Sequence, residues 1–234
     1  MINIDTRIEE IVKIDNKMMD FFNDQKIDFC CQGYKTIKEV AEDKAINPSK
    51  LLDLIGENID LASKKEEAAA VDLEEFKAMT MEEMIDSIII DHHQRERDLL
   101  FEIDPVLNKI FSVHYSHHGQ ELLKLHSLFA DLKKELEEHF VKEEEVTFPL
   151  MLANKNPSQA IIKKVEDLET DHEKAGQIIK EMIDLTDWFK VPEDGCNTYS
   201  YTFELLEKLV KDVFVHIFKE NSILFEKYKE SGEK

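Results

Sequence analysis

The sequence predicts an all-α protein in which a small helical domain precedes an up-down-up-down four-helix bundle. Composition is the first observation behind this prediction, because 35% of the 234 residues are charged and only 6 are glycine and 5 proline. Such a composition suits long helices better than sheets. The second observation is that four long stretches after residue 80 repeat apolar residues every three or four positions. This period is typical of helices that bury one face in a bundle.

Residues 1–58 form the predicted small domain. Thr36-Ile-Lys-Glu39 has the pattern of a capping box, and Asn47-Pro48 pairs an N-cap residue with a proline suited to the first helical position. Each pattern predicts the start of a short helix. Cys30 and Cys31 lie before them in a turn that ends in glycine. We therefore predict a helical domain that displays two adjacent thiols between its helices; a helical adaptor with buried thiols is the alternative.

Residues 59–79 are charge-rich and weakly apolar, and we predict a partly helical connector there. The bundle then occupies residues 80–234, and a second capping box at Thr80-Met-Glu-Glu83 opens it. We expect Pro105 to end the first long helix and Pro149 to help close the second. The four predicted helices cover about 81–103, 120–147, 157–182 and 200–228.

One motif occurs twice on the apolar faces of these helices. His139-Phe-Val-Lys-Glu143 and His216-Ile-Phe-Lys-Glu220 each place an imidazole and a carboxylate four residues apart, on one helix face. An unpaired charge in such a seam would cost several kcal/mol, so the repeated motif predicts a metal site. The predicted seams are Leu122, Leu125, Phe129, Leu132, Leu136, His139, Glu143, Val146 and Leu150 on one helix, and Leu206, Leu209, Val213, His216, Glu220 and Ile223 on another.

The other two helices add further histidines. His172 lies on the seam of the third helix, and the first helix offers either of two adjacent residues. His92 fits a seam with Ile85, Ile88 and Leu99, whereas His93 fits one with Ile89 and Leu100, so periodicity leaves both open and slightly favours the former. Four imidazoles and two carboxylates are too many for one structural zinc and suit a pair of iron or manganese ions.

A ferritin-like bundle is the nearest alternative, since it binds two irons through Glu-x-x-His on two helices. That spacing occurs here at Glu169-x-x-His172, but the residues three before His139 and His216 are Leu136 and Val213. The second copy of the ferritin motif is therefore missing, and the His-x-x-x-Glu pairing is of another type.

Five segments of the chain together form a recognisable set: Asp28-Phe29-Cys30-Cys31, His93-x3-Arg97-x2-Leu100, His139-Phe-Val-Lys-Glu143-Glu-Glu-Val-x-Phe-Pro149, Asp171-His172-Glu173-x-Ala-Gly176 and His216-Ile-Phe-Lys-Glu220-Asn-x-x-Leu-Phe225. Through these segments the whole chain resembles the Repair of Iron Centres family, hemerythrin-like di-iron proteins of bacterial stress response. One departure is Glu226, where the family often has proline after Phe225.

The resemblance implies a hemerythrin-like bundle with a non-haem di-iron centre, two irons with a bridging oxo or hydroxo group. It also favours His93 over His92, because His93 is in register with Arg97 and Leu100. The implied terminal ligands are His93, His139, His172 and His216, and the implied bridging carboxylates are Glu143 and Glu220.

The function that the resemblance implies is repair of iron–sulfur clusters damaged by nitric oxide or oxidants, with iron supplied by the bundle. Two alternatives stay open: an enzyme that reduces nitric oxide at the two irons, and a hemerythrin-like binder or sensor of oxygen or nitric oxide. The implied partners are damaged or apo iron–sulfur proteins, with nitric oxide or dioxygen as the small ligand. A homodimer is left open.

Charge and cysteine usage restrict the setting. The net charge of −21 argues against binding to nucleic acid. No apolar run reaches the roughly 18 residues of a membrane span, and a secretory signal is not evident. Three cysteines, two of them adjacent, do not form a disulfide framework. We therefore expect a cytoplasmic protein with no membrane partner.

Several polar residues remain outside the predicted metal site. Cys30 and Cys31 are candidates for thiol transfer or for docking a partner. Glu144 and Glu145 are expected to face water, and Glu135 is either a carboxylate that orients an imidazole or an exposed residue. A solvated bend accounts for His114, His117, His118 and His126, and Cys196 lies in a loop without a motif.

Overall fold

The computed structural model describes residues 2–62 and 73–231. Within these ranges the chain is helical, and strand pairing is limited to one isolated bridge between Arg7 and Thr36. The all-α prediction is confirmed. Contacts divide the chain into two compact units, Met1–Thr80 with Ile217–Glu226, and Met81–His216 with Lys227–Lys234. Residues 63–72 of the predicted connector lie outside the described residues.

The first unit consists of short helices whose starts match the predicted caps. In the capping box, Glu39 N donates to Thr36 Oγ1 (3.2 Å) and Thr36 N donates to Glu39 Oε2 (2.8 Å). Ser49 N donates to the Asn47 side chain at 2.8 Å, which caps the next helix. Both predicted caps are confirmed. The helices are α1 (Ile8–Ile14), α2 (Met18–Asp24), α3 (Ile37–Asp43), α4 (Pro48–Ala62) and α5 (Leu73–Ala78).

Aromatic side chains fill much of this unit's core. The Phe29 ring lies 6.4 Å from the Phe22 ring and 6.1 Å from the Phe218 ring, measured between centroids. All three residues are fully buried. A Cβ at Gly33 would lie 2.4 Å from the Phe29 carbonyl oxygen, so the turn after the two cysteines requires glycine here.

Most of the bundle lies in the second unit, and Ile217–Glu226 of its fourth run is assigned to the first. The first run comprises α6 (Met81–Ile88), the π-helical turn π1 (Ile89–His93) and α7 (Gln94–Val113), and the second comprises α8 (Tyr115–Lys142), π2 (Glu143–Thr147) and α9 (Phe148–Ala153). The third is α10 (Gln159–Thr186), and the fourth is α11 (Asn197–Lys219), which continues through π3 (Glu220–Leu224) into α12 (Phe225–Glu230). None of the helices in the described ranges is both long and apolar enough to cross a membrane.

Cross-helix contacts give the direction of these runs. Helix α8 packs against both α7 and α10. Lys133 pairs with Asp104, and Arg97 pairs with Glu144, so α7 and the second run are antiparallel. Helix α11 runs antiparallel to α7, because Asp212 bonds His92 near the start of the first run and Tyr201 bonds Glu102 further along it. The predicted up-down-up-down bundle is confirmed.

Both prolines were wrongly predicted to mark helix ends. Helix α7 continues through Pro105 to Val113. The carbonyl that loses its partner belongs to Phe101, which is 82% exposed, so water can satisfy it. Pro149 lies in the first turn of α9, directly after π2, where an α-helix needs no N–H donor.

The π-helical turns shift the buried seams by one position. Each turn adds about one residue, which rotates the next part of the helix by about 100° around the axis. In the second run, the predicted seam members Val146 and Leu150 are not buried, and Thr147 and Met151 are buried instead. In the first run, the seam passes from Ile85 and Ile88 to His93, Glu96 and Leu100. Simple helical periodicity could not locate this shift.

Candidate metal centre

Each predicted ligand from the bundle is buried and lies at or near a π-helical turn or in the middle of a long helix. His93 closes π1, and Glu143 and Glu220 open π2 and π3. His139 and His216 each precede a carboxylate by one turn, and His172 lies in the interior of α10. π-helical turns of this kind are frequent at functional sites, since the extra residue redirects side chains without ending the helix.

The six side chains converge in two overlapping groups whose potential ligand atoms all lie within 4.8 Å of one another. One group contains His93 and His216, and the other contains His139 and His172. Glu143 and Glu220 belong to both groups. Each group therefore offers two imidazoles, and the same two carboxylates are common to both groups.

The ring nitrogens face each other closely. His93 Nε2 lies 3.2 Å from His216 Nε2, and His172 Nε2 lies 2.9 Å from His139 Nε2. Glu143 Oε2 lies between the groups, 3.2 Å from His93 Nε2 and 3.1 Å from His139 Nε2. Nε2 is therefore the nitrogen that each of these four histidines directs toward the centre.

Two carboxylates on the outer side fix this orientation. Glu144 Oε1 accepts from His93 Nδ1 at 2.7 Å, and Glu96 Oε1 accepts from His216 Nδ1 at 3.0 Å. A carboxylate at Nδ1 keeps the proton there and leaves the Nε2 lone pair available to a metal. Both imidazoles are thus held in the tautomer that a metal ligand needs.

Glu144 was wrongly expected to face water. Burial alone would raise its pKa, but hydrogen bonds from Arg97 and His93, with their charges, outweigh it and lower the pKa below the ordinary value. The group is therefore a carboxylate at neutral pH. Arg97 Nη1 lies 2.9 Å from Glu144 Oε1 and so fixes the acceptor that in turn fixes His93. A signal was present in the sequence, because Glu144 follows the predicted ligand Glu143 and Arg97 lies four residues after the predicted ligand His93.

His92, the other candidate on the first helix, has different neighbours. Its Nδ1 lies 3.1 Å from Asp212 Oδ2, and its ring stacks on the His216 ring with 5.4 Å between centroids. Burial raises the pKa of Asp212, but the hydrogen bond with His92 and the charges of His92 and Arg95 lower it overall. The His92 ring thus stacks on the His216 ring, whereas His93 Nε2 lies in the centre, 3.2 Å from His216 Nε2.

The donors fit the predicted iron centre. Mixed nitrogen and oxygen ligation by imidazole and carboxylate is typical of non-haem iron sites. Every one of the six residues is at most 4% exposed. Phe140 and Phe148 cover His93 on its faces, with ring centroids 4.5 and 6.2 Å away. Such an apolar surround excludes water and strengthens the electrostatic interactions inside.

Two further carboxylates near the site, Asp171 and Glu135, are not hydrogen-bonded to an imidazole among the described residues. Asp171, next to His172, accepts from Lys142 at 2.6 Å and from Lys174 at 2.7 Å. These hydrogen bonds overcome the effect of burial and lower the pKa of Asp171. Glu135 is half-buried, and within the described ranges no hydrogen bond assigns it to an imidazole.

The cysteine pair is organised around Asp28. Its Oδ1 accepts backbone N–H groups from Cys30 and Cys31 at 3.1 and 2.9 Å. Cys30 Sγ lies 3.7 Å from Cys31 Sγ and 3.4 Å from Asp28 Oδ1. Cys30 is buried and Cys31 half-buried, and neither forms a disulfide. Burial, Cys31 and Asp28 together hold the pKa of Cys30 well above its ordinary value, so Cys30 is a protonated thiol at neutral pH.

Two family models match the chain. The hemerythrin HHE cation-binding domain matches residues 84–228, and a domain of unknown function named for the amino-terminal part of ScdA (DUF542) matches residues 4–58.

Curated relatives match over most of their length. Iron-sulfur cluster repair protein ScdA of Staphylococcus epidermidis is 28% identical over 235 residues, covering 97% of this chain and 99% of the relative. Iron-sulfur cluster repair protein YtfE of Cronobacter sakazakii is 31% identical over 206 residues, covering 87% of each chain. A probable iron-sulfur cluster repair protein of Haemophilus influenzae is 28% identical over 207 residues, again 87% of each.

Proposed function

Because the chain belongs to the Repair of Iron Centres family and contains its hemerythrin-type cation-binding domain, we propose that it repairs iron–sulfur clusters damaged by nitric oxide or oxidants. In this proposal the bundle holds two irons and supplies iron to the damaged cluster. Relatives that match most of the chain are named as iron-sulfur cluster repair proteins. The observation that carries the proposal is the pair of buried ligand groups that share Glu143 and Glu220.

The residues divide into two sets of ligands. His93 and His216 would hold one iron, and His139 and His172 would hold the other. Glu143 and Glu220 would bridge the two, since each belongs to both groups. When bound, the irons supply redox-active metal that can be passed on as cargo.

Carboxylates around the site control the protons of the histidines when iron binds or leaves. Glu144 and Glu96 keep the Nδ1 protons of His93 and His216 in place, at 2.7 and 3.0 Å. Glu143 Oε2 lies within hydrogen-bond distance of two Nε2 atoms, so a proton that arrives at either imidazole has an acceptor. Metal binding at such ligands releases protons, and metal departure takes them up. Proton uptake can therefore balance the charge of the site as iron leaves.

The thiol pair has a separate role in the proposal. Cys31 is half-buried and the more accessible of the two adjacent cysteines, whereas Cys30 is buried beneath it. We propose that this turn docks the client protein or exchanges thiols with it. The clients would be damaged or apo iron–sulfur proteins in the cytoplasm, with nitric oxide or dioxygen as the small ligand.

The direct experiment mixes iron-loaded protein with an apo iron–sulfur protein and follows cluster formation by absorbance and client activity. We expect cluster formation faster than with the same amount of free ferrous iron. Glu143→Ala, which loses the carboxylate common to both groups, should give no advantage over free iron. A wild-type protein that consumes nitric oxide with a chemical reductant, yet never donates iron, would replace repair with the reductase alternative.

The thiol role is tested in the full chain with Cys30→Ser and Cys31→Ser together. Removal of the whole amino-terminal region is a poor test, because Phe29 packs against Phe218 and its loss would expose an apolar ring. The double variant should keep its iron and lose most of its transfer activity. Unchanged transfer would remove the cysteines from the mechanism and leave the iron site intact.

A further inference from the structure

A second group of reactive side chains lies where α7 meets α8 and where α11 begins. His114 is the residue between α7 and α8, and its Nε2 lies 3.3 Å from Cys196 Sγ. Cys196 immediately precedes α11. One turn further along the bend, His118 Nε2 lies 2.8 Å from Asp194 Oδ1. The bend and the loop are therefore joined by a Cys–His pair and a neighbouring Asp–His pair, outside the metal centre.

The surroundings of Cys196 favour the thiolate. Its hydrogen bond with His114 and the backbone N–H groups of Tyr199 and Thr198 lower the pKa of Cys196 to about 7. Backbone N–H groups at a helix N-terminus and an adjacent histidine are the two features that activate reactive cysteines in proteins. Cys196 is also exposed, so a reagent in solution can reach the sulfur.

A buried tyrosine completes the cluster. The Tyr199 ring contacts the His114 and His118 rings edge to face, with centroids 5.2 and 6.0 Å away. Tyr199 is fully buried, and its hydroxyl has no hydrogen-bond partner among the residues that the structure describes. Burial first, then the charges of Glu121 and Asp194, raise the pKa of Tyr199, so the hydroxyl remains a donor. Buried donors without acceptors are uncommon, which points to a polar group from outside the chain at this cluster.

We propose that Cys196 is a site of mixed-disulfide formation with low-molecular-weight disulfides, with His114 as its base. His114 Nε2 takes the thiol proton, and the Cys196 sulfur attacks one sulfur of the external disulfide. A new S–S bond forms to Cys196 as the external S–S bond breaks. The displaced thiolate leaves and takes the proton from His114. Cys196 is oxidised, the released half of the reagent is reduced, and no other oxidant is needed.

The same chain provides an internal reference. Cys30 is buried and its pKa is raised, so Cys30 should react slowly with the reagent at neutral pH. Reaction at Cys196 does not involve the irons, so this inference stands apart from the proposed repair function. The ionisable groups around the pair are His118, Asp194, Glu121 and Tyr199.

The test treats the full-length protein with neutral 2-hydroxyethyl disulfide and measures each cysteine's adduct by peptide mass spectrometry, from about pH 5.5 to 9.5. Cys196 should react first, with a rate midpoint near pH 7. The matched variants are His114→Gln and His117→Gln, since His117 lies exposed in the same bend and is not bonded to Cys196. His114→Gln should move the midpoint upward, and His117→Gln should not.

The expected size follows from two opposing effects. A drop of about two pKa units raises the thiolate fraction at pH 7 about fifty-fold, while weaker nucleophilicity removes about six- to tenfold of that gain. The net gain is about five- to eightfold, and His114→Gln should forfeit much of it. A wild-type midpoint near pH 9, a midpoint that His114→Gln leaves in place, or faster labelling of Cys30 would overturn the proposal. Cys196→Ser verifies that the measured adduct belongs to this residue.

Discussion

Most of the nine histidines fall into two groups, one in the bundle core and one at the bend, that differ in what their rings contact. In the bundle core, His93 and His216 face each other and also contact carboxylates. At the bend, His114 and His118 each have one polar partner, a loop side chain near the surface. The core group has several converging donors in a dry site, which suits metal ions, whereas the bend group has isolated pairs, which suit proton transfer to one partner.

The difference shows that histidine density is a poor guide to a metal site. The bend holds three histidines within five residues, from His114 to His118, yet their nitrogens do not converge among the described residues. The core histidines are far apart in sequence and converge because each lies on the apolar face of a helix. Burial on a seam with a repeated carboxylate is therefore the informative signal.

Loss of a shared carboxylate should have the largest effect on the core group. Glu143→Ala should abolish binding of both irons, because Glu143 belongs to both ligand groups. Iron per chain is measured by elemental analysis after desalting. Glu145→Ala is the matched control, since Glu145 lies in the same π-helical turn and is exposed. Retention of either iron by a folded Glu143→Ala protein would contradict the shared-carboxylate arrangement.

Substitution of adjacent histidines gives the next largest effect. His93→Leu should lose at least one iron, because its Nε2 lies at the centre, 3.2 Å from Glu143 Oε2. His92→Leu should keep both irons, because His92 contacts Asp212 instead. At the bend, His118→Leu should change nothing in iron content. Equal iron losses from His92→Leu and His93→Leu would mean that the assignment of His93 as the first-helix ligand is wrong.

Removal of an orienting carboxylate should have the smallest effect. Glu144→Ala should weaken iron affinity by about 10- to 100-fold, about 1.4 to 2.7 kcal/mol, as for other carboxylates that hold a ligating imidazole. Competition with a chelator of known affinity measures this change, again with Glu145→Ala as the control. An affinity equal to wild type would mean that Arg97 and Glu144 only stabilise the helix pair.

The sequence was sufficient for the fold class and for the pattern of the core group. Repeated His-x-x-x-Glu on apolar seams identifies buried pairs on two helices, and capping boxes such as that at Thr36 locate helix starts. Periodicity could not choose between His92 and His93, because π1 moves the buried face by one residue within that dipeptide. The family resemblance favoured His93, whereas a uniform period of 3.6 residues could not take account of the extra residue in π1.

Other features depend on contacts between distant residues. Glu96 and Glu144 look like ordinary charged helix residues, and their role depends entirely on the rings that they meet on α11 and π1. The environment of Cys196 likewise depends on a histidine 82 positions away. The predicted helix end at Pro105 is wrong, because Phe101 in the preceding turn is exposed and water can satisfy its carbonyl. The sequence alone does not show this exposure.

Metal stoichiometry of the wild-type protein tests the central claim most directly. The full-length chain is loaded with ferrous iron without oxygen, desalted, and analysed for iron and zinc per chain. Two ligand groups that share two carboxylates in one core predict two irons per chain. One tightly held zinc with no iron, or a single iron at saturation, would contradict a di-iron centre formed by these six residues.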